Sequence, residues 1–278
     1  MSLRRLEVND QDPIFDTRCY LERQEKVGSE KSHLLFETLT NNTIDKLKDI
    51  NRAFSKIAII GPYTASLITF IKAQYECKID LFSSIDLNHI PLKVNHYDLI
   101  LVDHFFHRVN ALPELMLIIH HALVPDGLFL GTTYGSETLR ELKESFLACE
   151  IEQGLSVKPH ISPFLDLESA GALLQKTGFQ LPVVDSDKRT LLYESLEDLF
   201  VDLKILGETN YLTARHRGLM RKKIFKALSA YYHKHYKEKS NKVFATIEVL
   251  NLLGWKKHES QQQPLRRGSG QIDLESIF

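Results

Sequence analysis

With 278 residues, 32.0 kDa and 43% hydrophobic content, the chain can bury one substantial core, or one core with an appendage. A formal net charge of -1 and a pI near 6.9 exclude a wholly basic nucleic-acid binder. Cys19, Cys77 and Cys149 lie far apart with no Cys-x-x-Cys spacing, which excludes a disulfide scaffold or an iron–sulfur cluster and predicts a reducing compartment, the cytoplasm.

No run reaches the length of a membrane span, and the opening MSLRRLEVNDQD has no apolar signal-peptide segment. Residues 1–30 are polar around Ile14, Phe15, Tyr20 and Leu21, which predicts an arm carrying a short helix. Over 31–50, Leu34, Leu35, Phe36, Leu39, Ile44, Leu47 and Ile50 recur at mostly three- and four-residue steps, predicting a helix that covers a sheet face. From Lys56 to Ile71, KIAIIGPYTASLITFI reads as a buried strand, a turn at Gly61-Pro62 and a helix. That order delivers a ligand to a helix N-terminus in an α/β fold. Lys78 to Phe82 is the second strand, and Asp98 to Val102 a third, ending at Asp103. A helix over about 112–123 stops at a turn, Val124-Pro125-Asp126-Gly127, before a strand from Leu128 to Thr132. Another helix begins near Glu137. The alternation predicts a parallel sheet with crossover helices.

Beyond residue 155 the spacing loosens. Pro159 to Phe164 reads as a loop, and Leu167 to Thr177 as a helix closed by Gly178. Phe179 to Val184 and Arg189 to Tyr193 read as two pieces of strand. Leu196 to Leu206 and Leu219 to Tyr236 are helical by period, and Val243 to Leu250 is a late strand. Three parts are expected: an arm and covering helix over 1–50, an α/β domain over 51–257 with a helical insertion at about 195–240, and a polar tail over 258–278.

Gly61, Thr64 and Ser66 can cradle an anion or a cofactor carboxylate on free N–H groups; equally, Gly61 only makes the turn and the hydroxyls cap the helix. The tip of the second strand is Ser83-Ser84, with Asp80 inside the strand and Asp86 beyond it, so a hydroxyl stands where ribose usually meets a carboxylate. Asp103, His104 and His107 lie where such folds bind ligands and read as pocket-lining acid/base groups; no further ligand completes a metal site, and none is expected. Residues 213–242 carry ten Lys or Arg and one acid, Glu238, beside an apolar stripe of Ile224, Phe225, Leu228, Tyr232 and Tyr236. The stripe fits a buried helix face with a solvated basic side; the basic side fits a protein partner at least as well as RNA or an anionic membrane.

Several stretches together carry a resemblance. Tyr97-Asp98-Leu99-Ile100-Leu101, His107-x-Val109-Asn110, Leu123-Val124-Pro125-Asp126-Gly127 and Gly135-x-x-Thr138-Leu139-x-Glu141-Leu142 resemble the class I S-adenosylmethionine-dependent methyltransferases. The similar branch contains the malonyl-carrier methyltransferase of biotin synthesis and the mitochondrial complex I assembly factor 5 proteins. Pro159 to Phe164, Glu197 to Asn210 and Gly254-Trp255-Lys256-x-His258 resemble the assembly factors more closely. The resemblance implies a seven-stranded sheet with one antiparallel late strand, S-adenosylmethionine as cofactor, and a bacterial protein working on a respiratory complex I subunit. It places the cofactor turn on Gly61, Tyr63 and Ala65, with only the first glycine kept, the first-strand acid on Ile59 and the ribose acid on Ser83. It places cofactor contacts at Gly61, Tyr63 and Ser83, and Asp98, His107, Asn110, His160 and Trp255 match its pattern. Position at or just after strand ends adds Asp103 to the cofactor contacts, and His107, His160 and Tyr134 are the catalytic candidates. A scaffold that binds protein without catalysis, and a small-molecule or carrier-protein methyltransferase, are the alternative roles.

Overall fold

The computed structural model describes residues 13–24, 34–61, 63–82, 90–103 and 106–262. Four strands run parallel: β1 (Lys56–Ile60), β2 (Lys78–Phe82), β3 (Tyr97–Val102) and β4 (Leu123–Tyr134). Two long strands, β5 (Gln180–Tyr193) and β6 (Val243–Trp255), complete the sheet. The order is β2-β1-β3-β4-β6-β5, and β6 is antiparallel to both neighbours. The predicted late antiparallel strand is therefore β6, inserted between β4 and β5. Among the described residues the sheet has six strands, not the seven the resemblance implies.

Side-chain alternation sorts the parallel strands between two layers. Ala58 and Ile60 of β1, with Ile100 and Val102 of β3, pack under α4 (Leu112–Ala122) and α6 (Leu167–Lys176). Ile57, Ile59, Leu99 and Leu101 face the other way, under α2 (Leu34–Lys48) and α3 (Ala65–Gln74). Both faces of the strands are apolar because helices cover both. The predicted covering helix is thus α2, whose Ile44 and Leu47 are buried.

A second core lies beyond the carboxyl ends of the parallel strands. Tyr134 is the last residue of β4 to pair with β6, at Val249, whereas β5 and β6 stay paired as far as Tyr193 and Val243. Ala245 and Ile247 of this overhang, with Val249 at its base, are covered by α5 (Arg140–Glu152), α7 (Leu196–Ile205) and α8 (Lys222–His235). Leu228 and Tyr232 of α8 are fully buried there, while Lys222, Lys223 and Lys226 are exposed. Of the predicted stripe, Leu228 and Tyr232 are core and Tyr236 packs against it, whereas Ile224 and Phe225 are half-buried at its edge; the lysines are the solvated side.

Several boundaries differ from the sequence expectation: the helix expected from Leu219 begins at Lys222, the late strand runs on to Trp255, and three more differ for a visible reason. The turn at 124–127 lies inside β4, because the chain after β6 pairs with it: Lys256 N–H donates to the Gly127 carbonyl at 2.9 Å and Asp126 N–H to the Lys256 carbonyl at 3.1 Å. The two expected pieces at 179–184 and 189–193 form one strand. Their polar middle finds partners, Asp185 with Lys46 and Asn251, and Ser186 with Glu248. The helix expected at Glu137 begins at Arg140, since residues 137–139 are tied to β6: Leu139 N–H donates to the Thr246 carbonyl at 2.8 Å. Leu139 holds φ 55 there, a left-handed conformation that few non-glycine residues adopt.

The N-terminal arm forms α1 (Thr17–Gln24) and is sewn to the segment after α7. Phe15 bridges Leu212, Asp16 N–H donates to the Tyr211 carbonyl at 2.7 Å, and Arg215 pairs with Asp16 at 2.9 Å. Asn110 grips the arm from the sheet side, accepting from Phe15 N–H at 2.8 Å and donating to its carbonyl at 3.0 Å. Of the expected polar tail, residues 263–278 lie outside the described residues. Among the described residues no helix is long and apolar enough to cross a membrane.

Candidate functional site

The order of strands reverses between β1 and β3, which opens a crevice outside their carboxyl ends. Gly61 leaves β1 at φ 104, a conformation that favours glycine. Thr64 then caps α3, its hydroxyl accepting from Leu67 N–H at 3.2 Å. Asp103 follows β3, is 1% exposed, and accepts from Thr132 at 2.8 Å and Thr43 at 3.4 Å. Ser83 and His104, both named from the sequence, lie outside the described residues.

A second constellation stands where the short turn Phe106–Arg108 meets the end of β4. Arg108 is buried and binds three groups: it donates to the Tyr20 hydroxyl, to Glu208, and through Nε to His107 Nε2 at 3.0 Å. The same His107 nitrogen lies 3.1 Å from Glu208. When Arg108 donates to Nε2, the imidazole proton sits on Nδ1; with the proton on Nε2, the ring donates to Glu208 instead. The ring also lies against Tyr134, with centroids 4.9 Å apart. Burial acts to raise the Glu208 carboxyl, but the Arg108 charge and His107 hold it down at about 2. Burial pushes the Tyr20 phenol up to about 12 against the pull of Arg108, and it pushes the Tyr134 phenol well above its ordinary value. Near neutrality Tyr134 is therefore a hydrogen-bonding phenol and not a base.

Tyr134 and Glu208 line a cavity of about 240 Å³ inside the second core. Its walls mix rings, Phe146, Phe164 and Phe200, with aliphatic side chains such as Leu142, Leu203 and Ile247, and its polar groups include Thr209 and Asn210. His160 stands on the same wall, stacked on Phe146 at 3.9 Å and bonded through Nε2 to Glu150 at 2.7 Å. Of the three catalytic candidates, the fold brings His107 and Tyr134 into contact and sets His160 on the cavity wall with a carboxylate of its own. The matching Asp98 and Trp255 are structural. Asp98 accepts from Ser55 and Lys56 at the start of β1, and Arg52 lies over the Trp255 ring at 5.3 Å.

The sequence singles out neither Arg108 nor Glu208 for a role, and Tyr20 only as an apolar position of the arm. Glu208 lies 100 residues from Arg108, and Tyr20 lies 88, so no local spacing joins them. Their only signal was indirect: His107 and Glu208 fall in stretches that carry the resemblance.

No protein-family profile matches the chain. It is 36% identical over 205 residues to the human mitochondrial arginine-hydroxylase NDUFAF5, covering 73% of this chain and 59% of that protein. It is 32% identical over 171 residues to the malonyl-[acyl-carrier protein] O-methyltransferase of Gallionella capsiferriformans, covering 62% and 56%. A solved Bacillus halodurans protein, described as a candidate methyltransferase, superposes with a TM-score of 0.50 at 10% identity over 78% of this chain and 98% of that one. The chain belongs to the class I methyltransferase superfamily. It spans little more than half the length of the curated relatives it matches.

The superfamily's adenosyl cofactor provides a test of the crevice. Tyr63 and Ala65 carry Cβ atoms where the resemblance places glycines, and Thr64 has taken a helix-start N–H. Ile59, in the place of the first-strand acid, is buried in the apolar core. The Asp103 carboxylate is turned to Thr132 and Thr43. These residues do not fit the cofactor in the pose the resemblance implies.

Proposed function

We propose that this chain is a methyltransferase-fold assembly factor that captures a protein subunit of respiratory complex I and takes one of its arginine side chains into the cavity beneath Tyr134. The observation that carries the reading is the cavity itself: rings from Tyr134, Phe146, Phe164 and Phe200 stand among aliphatic walls, with Asn210 and the Glu208 carboxylate, whose oxygens are already shared by Arg108 and His107. A guanidinium stacks on such rings and can share the lone pairs of the carboxylate that Arg108 and His107 leave unused. The 36% identity to a protein named arginine-hydroxylase supports the choice of side chain. His107 and Glu208 then hold and orient, with a proton that sits on either imidazole nitrogen. Three free cysteines, Cys19, Cys77 and Cys149, support work in a reducing compartment such as the cytoplasm.

The test is binding and mass. A soluble subunit of respiratory complex I, or an arginine peptide from it, is titrated into the protein by calorimetry and then examined by mass spectrometry. Saturable binding that is lost when norleucine replaces arginine supports the reading; with dioxygen and a two-electron reductant added, a gain of one oxygen atom identifies hydroxylation. Equal binding of the norleucine peptide refutes it.

A second reading, capture without group transfer, is favoured by the altered turn at Gly61, Tyr63 and Ala65. Calorimetry with S-adenosylmethionine and S-adenosylhomocysteine separates the two. No heat at millimolar ligand supports the scaffold. Saturable heat returns the cofactor to the site and with it the carrier-protein methyltransferase alternative.

A further inference from the structure

Two surface grooves meet at Phe146 and His160, the same residues that line the cavity beneath Tyr134. One groove runs over Ile14, Leu147 and Val157; the other runs over Leu155, Leu219 and Met220. All six of these apolar side chains are exposed, Leu219 to 96%. Solvated apolar side chains gathered on concave ground are a binding surface in want of a partner.

The charges around them are predominantly positive. Lys143 and Lys158 line the first groove, and Lys158 and Arg221 the second. Arg217, Lys222 and Lys223 are exposed close by in the chain, against the exposed acids Glu144 and Glu152. Glu150 is the acid that lines both grooves, and it is already bonded to His160 at 2.7 Å and to Lys158 N–H at 3.1 Å. What remains is positive potential around apolar sockets.

We infer that these grooves dock an extended segment of the partner protein, with apolar anchor residues bracketed by Asp or Glu. Anchors in the two sockets leave the stretch between them over the Phe146–His160 junction, where one side chain enters the cavity. Concave sockets favour a peptide over a bilayer, which takes a convex apolar face. The central side chain rests on the function proposed above; the anchors and the acids do not.

The test is a selection from a random dodecapeptide library on the full chain, counter-selected on a Val157→Asp/Leu219→Asp variant. Both positions are exposed, so the variant keeps its circular dichroism and unfolding midpoint. Enriched peptides are expected to pair apolar residues with flanking acids. Measured by fluorescence anisotropy, they are expected to lose about tenfold or more in affinity on that variant, and also on Lys158→Glu/Arg221→Glu. No enrichment, or peptides that bind wild type and variants alike, overturns the inference. So does Leu219-dependent binding to phosphatidylcholine–phosphatidylserine vesicles without peptide enrichment, which makes this a membrane face. Enriched peptides that bind as well with norleucine at the centre leave the docking standing and remove the arginine reading. Arginine-peptide binding indifferent to the groove variants does the reverse.

Discussion

Replacing Glu208 by Gln removes the charge that balances Arg108 in a site where little water reaches either group. Side-chain exposure is 16% for Glu208 and 6% for Arg108. Holding the Glu208 carboxyl at about 2, from an ordinary 4.5, corresponds to about 3 kcal/mol at neutral pH. Removal of one partner from buried pairs in general costs about 3–5 kcal/mol, because the remaining charge is stranded. Urea unfolding of Glu208→Gln at pH 7 is therefore expected to show a loss of about 3 kcal/mol, with the slope against urea unchanged. The sign with pH follows from a depressed carboxyl. Its contribution is complete above the unfolded value near 4.5 and is lost as pH falls towards 2, so the variant and wild type converge on acidification. The double replacement Arg108→Met/Glu208→Leu strands no charge and should recover most of the loss. A loss below about 1 kcal/mol at pH 7, or a gap that widens as pH falls, would refute the coupling.

Three further outcomes are expected. Tyr20 ionises at about 12 in the fold against 10 when unfolded, so its contribution to stability is whole below pH 10 and is lost as pH rises through 12; Tyr20→Phe should lessen the alkaline decline read by fluorescence-detected unfolding. Asn110→Ala removes both bonds to Phe15 and should cost about 1–3 kcal/mol, read as faster hydrogen exchange over residues 14–24; unchanged exchange would count against the clamp. Reversal of Lys222, Lys223 and Lys226 to Glu should leave the unfolding midpoint within about 0.5 kcal/mol of wild type, because all three are exposed, while weakening capture of the protein subunit; an unchanged pull-down refutes their part in it.

The parallel half was legible because burial on two faces writes continuous apolar strands, as at Ile57–Ile60 and Leu99–Val102, and those runs need no knowledge of what lies across from them. The long pair β5–β6 was harder. Asp185 to Lys188 read as a break, yet the ladder continues through them because Lys46, Asn251 and Glu248 supply partners from other elements. The site divided the same way. Gly61 and Asp103 could be placed from strand ends alone, and Thr64 was visible as a cap. The group around Arg108 could not be found, because a charge pair between distant segments leaves no period in the sequence. The cavity was hidden for a related reason: Tyr134, Phe146, His160, Phe200 and Glu208 come from five stretches that meet only once the overhang of β5 and β6 exists.

That overhang gives the molecule two cooperative units that share strands. The parallel half, with its helices on both faces, keeps its hydrogen-bonded neighbours whether or not residues 243–248 stay paired with β5. The outer unit has no second sheet to lean on and is held by α5, α7 and α8. Units of this kind open separately in hydrogen exchange. A lesion such as Leu228→Ala or Tyr232→Ala should therefore open the outer unit first. Such a variant would purify, keep most of its secondary-structure signal and still be unable to hold a substrate, a phenotype easily mistaken for damage to a catalytic group.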